Sequence, residues 1–137
     1  MRPSASSSVL LGTLLAASLA ACSAGSHSAS PADAADKVTR AVYANDLDAT
    51  SADFDEATKR TITRSELGDM SDRMHALGAY RGLTQRSAAP DAGKYEYDAA
   101  FANGRLIVQL RVDPDGKIGA YRIVPDGAPS SAASAKN

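Results

Sequence analysis

Two consecutive runs in the second half of the chain place apolar residues at every second position, and that period constrains the fold more than any other feature. Tyr95, Tyr97, Ala99 and Phe101 alternate with Glu96, Asp98 and Ala100. After Asn103-Gly104, Leu106, Val108, Leu110 and Val112 alternate with Ile107, Gln109 and Arg111. Side chains of a strand point alternately to opposite faces, so each run predicts a strand with one buried face. Asn-Gly is the preferred pair for a two-residue type I′ hairpin. Pairing Ala102 with Arg105 across that turn sets Phe101 beside Leu106, Ala99 beside Val108, Tyr97 beside Leu110 and Tyr95 beside Val112. Every apolar partner then lies on one face.

Pro114-Asp115-Gly116 predicts a three-residue loop with glycine in the left-handed position, so that Asp113 pairs with Lys117. Continued regularly, that register sets Ile118 beside Val112, Ala120 beside Leu110 and Val124 beside Leu106. It also sets Arg122 beside Val108 on the inner face. A guanidinium keeps its charge and is almost never buried without a partner. Three resolutions are open: Arg122 snorkels at the sheet margin, projects into a pocket that takes an anionic ligand, or is turned outward by a bulge. On the outer face the same registers align Ala100, Ile107 and Ile123 in one row and Asp98, Gln109 and Tyr121 in the next, with Glu96 facing Arg111. An apolar row with a polar border marks a contact surface. Ile107, Tyr121, Ile123, Gln109 and Arg111 are therefore the expected interface, to a second copy or to another protein.

Upstream the period lengthens to that of helices. Ser30-Pro31-Ala32-Asp33 is a helix start: a hydroxyl cap, a proline where no amide is needed, and an acid near the positive end of the dipole. Val38 and Val42, with Ala35 and Ala41, form its apolar stripe. Asn45-Asp46 weakens that helix, and a short piece anchored by Leu47 and Phe54 follows. Asp55 with Lys59, and Glu56 with Arg60, have the spacing of exposed ion pairs. Thr63 and Glu66 form a capping box, opening a helix with Leu67, Met70, Met74 and Leu77 inward and Gly78 as its stop. With a weaker strand near residues 81–87, the expected class is α+β: N-terminal helices packed on one face of a four-stranded antiparallel meander.

The order of Asn45-Asp46-Leu47-Asp48-Ala49, Phe54-Asp55, Leu77-Gly78-Ala79-Tyr80 and Asp113-Pro114-Asp115-Gly116-Lys117-Ile118 resembles domain of unknown function 3887. That family consists of small secreted modules with a fold similar to the nuclear transport factor 2 or cystatin-like type. The resemblance implies a curved, helix-covered sheet whose concave side holds a pocket and whose opposite side forms a dimer. Its motifs are structural and carry no catalytic signature. This chain departs from it in having no tryptophan.

The ends of the chain give an address. Arg2 precedes an apolar run over residues 9–21, too short for the roughly 20 residues of a membrane-spanning helix and closed by small residues, as a signal peptide is. Leu19-Ala20-Ala21-Cys22 resembles the bacterial lipobox, in which the cysteine is joined to diacylglycerol and becomes the mature N-terminus. The only cysteine in the chain is thereby accounted for. The expected organisation is a lipoprotein signal peptide over residues 1–21, lipidated Cys22 with a flexible spacer through 30, one α+β domain over 31–125, and a disordered tail over 126–137. Ser23, rather than aspartate, at the second mature position implies an outer-membrane lipoprotein facing the periplasm.

Chemistry is sparse. Fifteen basic and 16 acidic residues nearly cancel, which argues against nucleic acid as a partner. His27 falls in the spacer and His75 at the edge of a helix, so neither is placed to activate a nucleophile. Asp113 and Asp115 resemble the start of a calcium loop, but Lys117 and Val124 occupy later ligand positions, which favours a plain turn. Asp46, Asp48, Asp53, Asp55 and Glu56 suit a solvated helical surface better than a catalytic pair. No cofactor or metal is expected. The reading is a membrane-anchored, non-catalytic binding module of the cell envelope, partnered by an envelope protein or by itself. The alternatives are a small-ligand carrier using a pocket near Arg122 and, less favoured, an enzyme.

Overall fold

The computed structural model describes residues 29–127, so Cys22, His27 and the tail beyond Gly127 lie outside the described residues. Four helices precede four strands: α1 (Pro31–Tyr43), α2 (Leu47–Ser51), α3 (Glu56–Thr61), α4 (Arg64–Ala76), β1 (Tyr80–Ala89), β2 (Lys94–Phe101), β3 (Gly104–Val112) and β4 (Ile118–Pro125). The strands form one antiparallel sheet in the order β1-β2-β3-β4. The chain is α+β, with α1 packed against the sheet.

Side-chain oxygens start each helix by accepting amides that the helix itself cannot satisfy. Ser30 accepts from Asp33 N–H, Asp46 from Ala49 N–H, and Asp55 from Thr58 N–H at 2.6 Å. Thr63 and Glu66 close a full capping box. Asp55 therefore acts as a cap rather than as a partner of Lys59, whose ammonium reaches Glu56 at 2.9 Å instead. Helix α4 ends at Gly78, whose φ of +85° suits a residue without a Cβ.

One core lies between sheet and helices. Val38 and Val42 of α1, Phe54, and Leu67 and Met74 of α4 meet Tyr97, Ala99, Phe101, Val108, Leu110, Ile118 and Ile123 from the sheet. The faces of β2 and β3 are those read from the alternation, but the register is not. Phe101 stands opposite Gly104, and Ala99 opposite Leu106, so the turn residues are Ala102 and Asn103 rather than Asn103-Gly104. The slip is two residues, which preserves the face of every side chain. Its local cause is a dock for the turn: Asn103 N–H donates to Leu77 O and Ala102 N–H to Ala79 O, tying the hairpin tip to the end of α4.

Strand β4 departs further. Its turn forms as the residues predict, with Asp113 N–H donating to Lys117 O and Gly116 at φ +82°. Ile118 pairs with Val112, but the next pair is Ala120 with Arg111, leaving Gly119 as an extra residue. That bulge reverses the faces of everything beyond it. Arg122 is thereby exposed on the outer face beside Gln109, while Tyr121 and Ile123 turn inward. Among the three resolutions open for Arg122, the bulge is the one the fold adopts.

Two substitutions test this packing. Tyr97 is 1% exposed, and its hydroxyl is buried without a hydrogen-bond partner among the described residues. An unsatisfied buried hydroxyl costs on the order of 1–3 kcal/mol, so Tyr97→Phe raises stability by about 1 kcal/mol in denaturant titrations. Gly93 sits at φ +62°, and a Cβ there would strike the carbonyl oxygen of Val112, which itself lies in the ladder. Gly93→Ala therefore lowers stability by about 2 kcal/mol or more, whereas Gly116→Ala, with open space around it, loses about 1 kcal/mol.

Candidate functional site

The sites expected from sequence do not come together as one surface. Ile107 lies on the outer face with Gln109 and the exposed Arg111, but Tyr121 and Ile123 lie on the helix-covered face. The row of Ala100, Ile107 and Ile123 is consequently not formed, because the Gly119 bulge moves Ile123 into the core. Ile107 is also only 3% exposed and stands between Asp98 and Val124 in the ladder. Glu96 stands opposite Gln109, not Arg111; its carboxylate accepts from Gln109 Nε2 at 3.1 Å and from Ser87 Oγ at 3.0 Å. Arg111 turns to Asp113 at 3.2 Å and donates to Gly119 O.

Charge, not grease, dominates the outer face. The Arg86 guanidinium bridges Asp98 at 3.0 Å and Asp126 at 3.2 Å, and Arg105 meets Asp126 at 2.6 Å. This network fastens the end of β4 to β1, β2 and β3. Hydrogen bonds from Arg105 and Arg86 hold the Asp126 carboxyl below the usual aspartate range.

The acids near α2 and α3 are spent on structure. Asp46 and Asp55 are helix caps, Asp53 receives Lys37 at 2.6 Å, and Glu56 receives Lys59. Burial and the neighbouring Asp36 carboxylate raise the Tyr80 phenol, and burial raises that of Tyr121, so both stay protonated at neutral pH. Tyr121 Oη shares a hydrogen bond with Thr39 Oγ1 at 2.9 Å. His75 stacks on Tyr43 with ring centroids 4.1 Å apart, and its Nε2–H donates to Tyr43 O at the end of α1. Each of these polar groups serves a helix terminus, a loop or the core.

Two of the surface clefts among the described residues are of nearly equal size. One, of about 580 Å³, lies between the start of α1 and the β3–β4 loop and is crossed by the Lys37–Asp53 ion pair. The other, of about 590 Å³, runs between β4 and the helical pair α3–α4. Phe54, Ile62 and Met70 supply its apolar lining, Arg73 lies on the helical wall, and residues 121–124 form the opposite wall. The sequence places Met70 inward and assigns Ile62 no role; both pack against the core while remaining partly exposed to this cleft. The signal for it was present: Met70 and Arg73 share one side of α4 by their three-residue spacing.

Arg122 belongs to that second wall. Among the described residues neither Arg73 nor Arg122 has a carboxylate within ion-pair distance, in contrast to Arg40, Arg86, Arg105 and Arg111. The cleft is open to solvent, and the helix-covered face of the sheet is filled by core side chains. Among the described residues no group of His, Cys, Asp and Glu has a metal-binding arrangement, and no helix is long and apolar enough to cross a membrane.

The Asp126 network yields a pH-dependent prediction. A carboxyl held low in the folded state contributes stability above its unfolded value of about 4 and loses it as pH falls through the lowered value. Asp126→Asn therefore melts below the parent protein at pH 7, and the gap closes as pH is taken below about 4, as read by thermal scans across the series. Turning to known proteins, no protein-family model matches this chain, and neither a curated protein nor a solved structure shows significant similarity to it.

Proposed function

We propose that this chain is a cell-envelope lipoprotein, acylated on Cys22, whose domain over residues 31–125 is a non-catalytic module that binds another protein. The observation that carries the reading is Leu19-Ala20-Ala21-Cys22 closing the apolar run of residues 9–21. Helix α1 is capped by Ser30, eight residues beyond the cysteine. Eight extended residues span at most about 28 Å, so a lipid on Cys22 would hold the domain close against its membrane. Each buried methylene contributes about 0.8 kcal/mol, and two acyl chains suffice for stable attachment. Ser23 in second position supports delivery to the outer membrane, facing the periplasm. The likeness to domain of unknown function 3887, with its nuclear transport factor 2-like or cystatin-like fold, forms part of this proposal and adds no catalytic residue to it.

A binding module is preferred to an enzyme because the acids, the histidine and the phenols already described are committed to caps, ion pairs and packing. It is preferred to a small-ligand carrier because the helix-covered face of the sheet is packed and the clefts are open, whereas carriers enclose most of their ligand. In cells fed a palmitate analogue, the full-length protein is expected to take up label and to sediment with membranes. Cys22→Ala is expected to lose both. Crosslinking on intact membranes is expected to recover one envelope protein reproducibly. An unlabelled, wholly soluble parent protein would remove the anchor from the proposal, and failure to recover any partner would remove the binding module.

A further inference from the structure

Strand β4 is an edge of the sheet, and one stretch of extended chain already pairs with its outer side. Ile118 N–H donates to Asp53 O at 2.9 Å and Asp55 N–H donates to Ile118 O at 3.0 Å, a parallel bridge centred on Phe54. The chain then leaves the edge because Asp55 caps α3. Beyond the bulge the ladder fixes which groups stay open. Val112 N–H is used by Gly93 of the β2 side. Alternation then turns Arg111, Gln109 and Ile107 toward Ala120, Arg122 and Val124 of β4. The N–H and C=O of Tyr121 and Ile123 are therefore directed away from β3, into the wall of the 590 Å³ cleft. The other edge, β1, is blunted by extra residues at Arg81 and Arg86. Residues 120–124 pair with β3 without interruption.

We infer that this edge takes an extended peptide from the partner as a fifth strand, with an acidic residue between two apolar ones. The inference rests on the binding-module reading and names its site. A residue paired with Arg122 would share the outer face with it, at the end of the row Ser87, Glu96, Gln109, Arg122. Arg122 is exposed and without a carboxylate partner among the described residues, so an Asp or Glu there is complementary. The residues on either side would point to the helical face, where Ile62 and Met70 are partly exposed. Main-chain bonds supply affinity and alternate side chains supply selectivity, as in other strand-addition sites.

The test titrates the 15N-labelled full-length protein in detergent micelles with the synthetic peptide Thr-Val-Thr-Val-Glu-Val-Thr, capped at both ends. Saturable shifts are expected at the amides of Tyr121, Arg122 and Ile123 and on α4 near Met70. Methylating alternate peptide nitrogens should abolish them. Replacing the peptide's Glu by Lys should weaken binding about tenfold, and the exposed substitution Arg122→Glu should reverse that preference. Absence of saturable shifts, shifts confined to another surface, or a charge preference unmoved by Arg122→Glu would each overturn the inference. So would edge amides that shift with protein concentration alone, since a second copy would then hold the edge. If membrane crosslinking still recovers a partner after such a result, the binding module stands and only its assignment to β4 falls.

Discussion

One extra residue at the start of β4 decides what this domain shows to its surroundings. Gly119, without a side chain, leaves room there for the Arg111 guanidinium and the Asp113 carboxylate in their present positions. Those two groups form an ion pair, and Arg111 also donates to Gly119 O, so the bulge is held from the outer face. Thr58 Oγ1 donates to the same carbonyl from α3. Below the bulge, Ile118 is buried in the core and bridges Phe54; above it, Tyr121 and Ile123 are inward and Arg122 is outward. Without the bulge the charge of Arg122 would lie against Val108, and the Tyr121 hydroxyl could not reach Thr39. A guanidinium buried in that apolar layer would cost several kcal/mol, so the alternative register is not a close competitor.

The α+β architecture was legible because its signals are local and redundant. The alternation in β2 and β3, the capping box at Thr63 and the loop at Pro114-Asp115-Gly116 each specify an element with little help from the rest of the chain. The hairpin register was not legible, since a shift of two leaves every face unchanged and the hydrophobic pattern is blind to it. What selects the observed register is a tertiary contact, Asn103 N–H to Leu77 O, between segments 26 positions apart in sequence. Regular extension of a ladder cannot anticipate a bulge either, although the forced burial of Arg122 was a conflict pointing to one. The expected outer-face row did not form for the same reason: its residues were placed by a register in which β4 had not yet turned over.

Caps and clefts are linked. Asp46 and Asp55 look like members of an acidic surface when counted by charge, yet each holds a helix start by accepting an amide. Short helices gain little from their own hydrogen bonding, so such caps carry much of their stability. Asp55 does more than start α3. By ending the extended segment that bridges Ile118, it stops the domain from completing its own fifth strand. The cleft beside residues 121–124 is the space that this early exit leaves.

That space explains why a small domain exposes Ile62 and Met70 where a fuller core would have used them. About 95 residues bury only a moderate share of their surface, and closing the cleft would have required a further element against β4. An open edge is also a route to aggregation, which proteins limit with charge and bulges. Here β1 carries two bulges, and β4 carries one bulge, Arg122 and a terminal proline at Pro125. The free hydrogen-bonding length of β4 is thereby cut to a few residues bounded by α3 on one side and by the Asp126 network on the other. An edge so bounded admits a short strand of matching charge and resists indefinite stacking, which is the combination a peptide-binding edge requires.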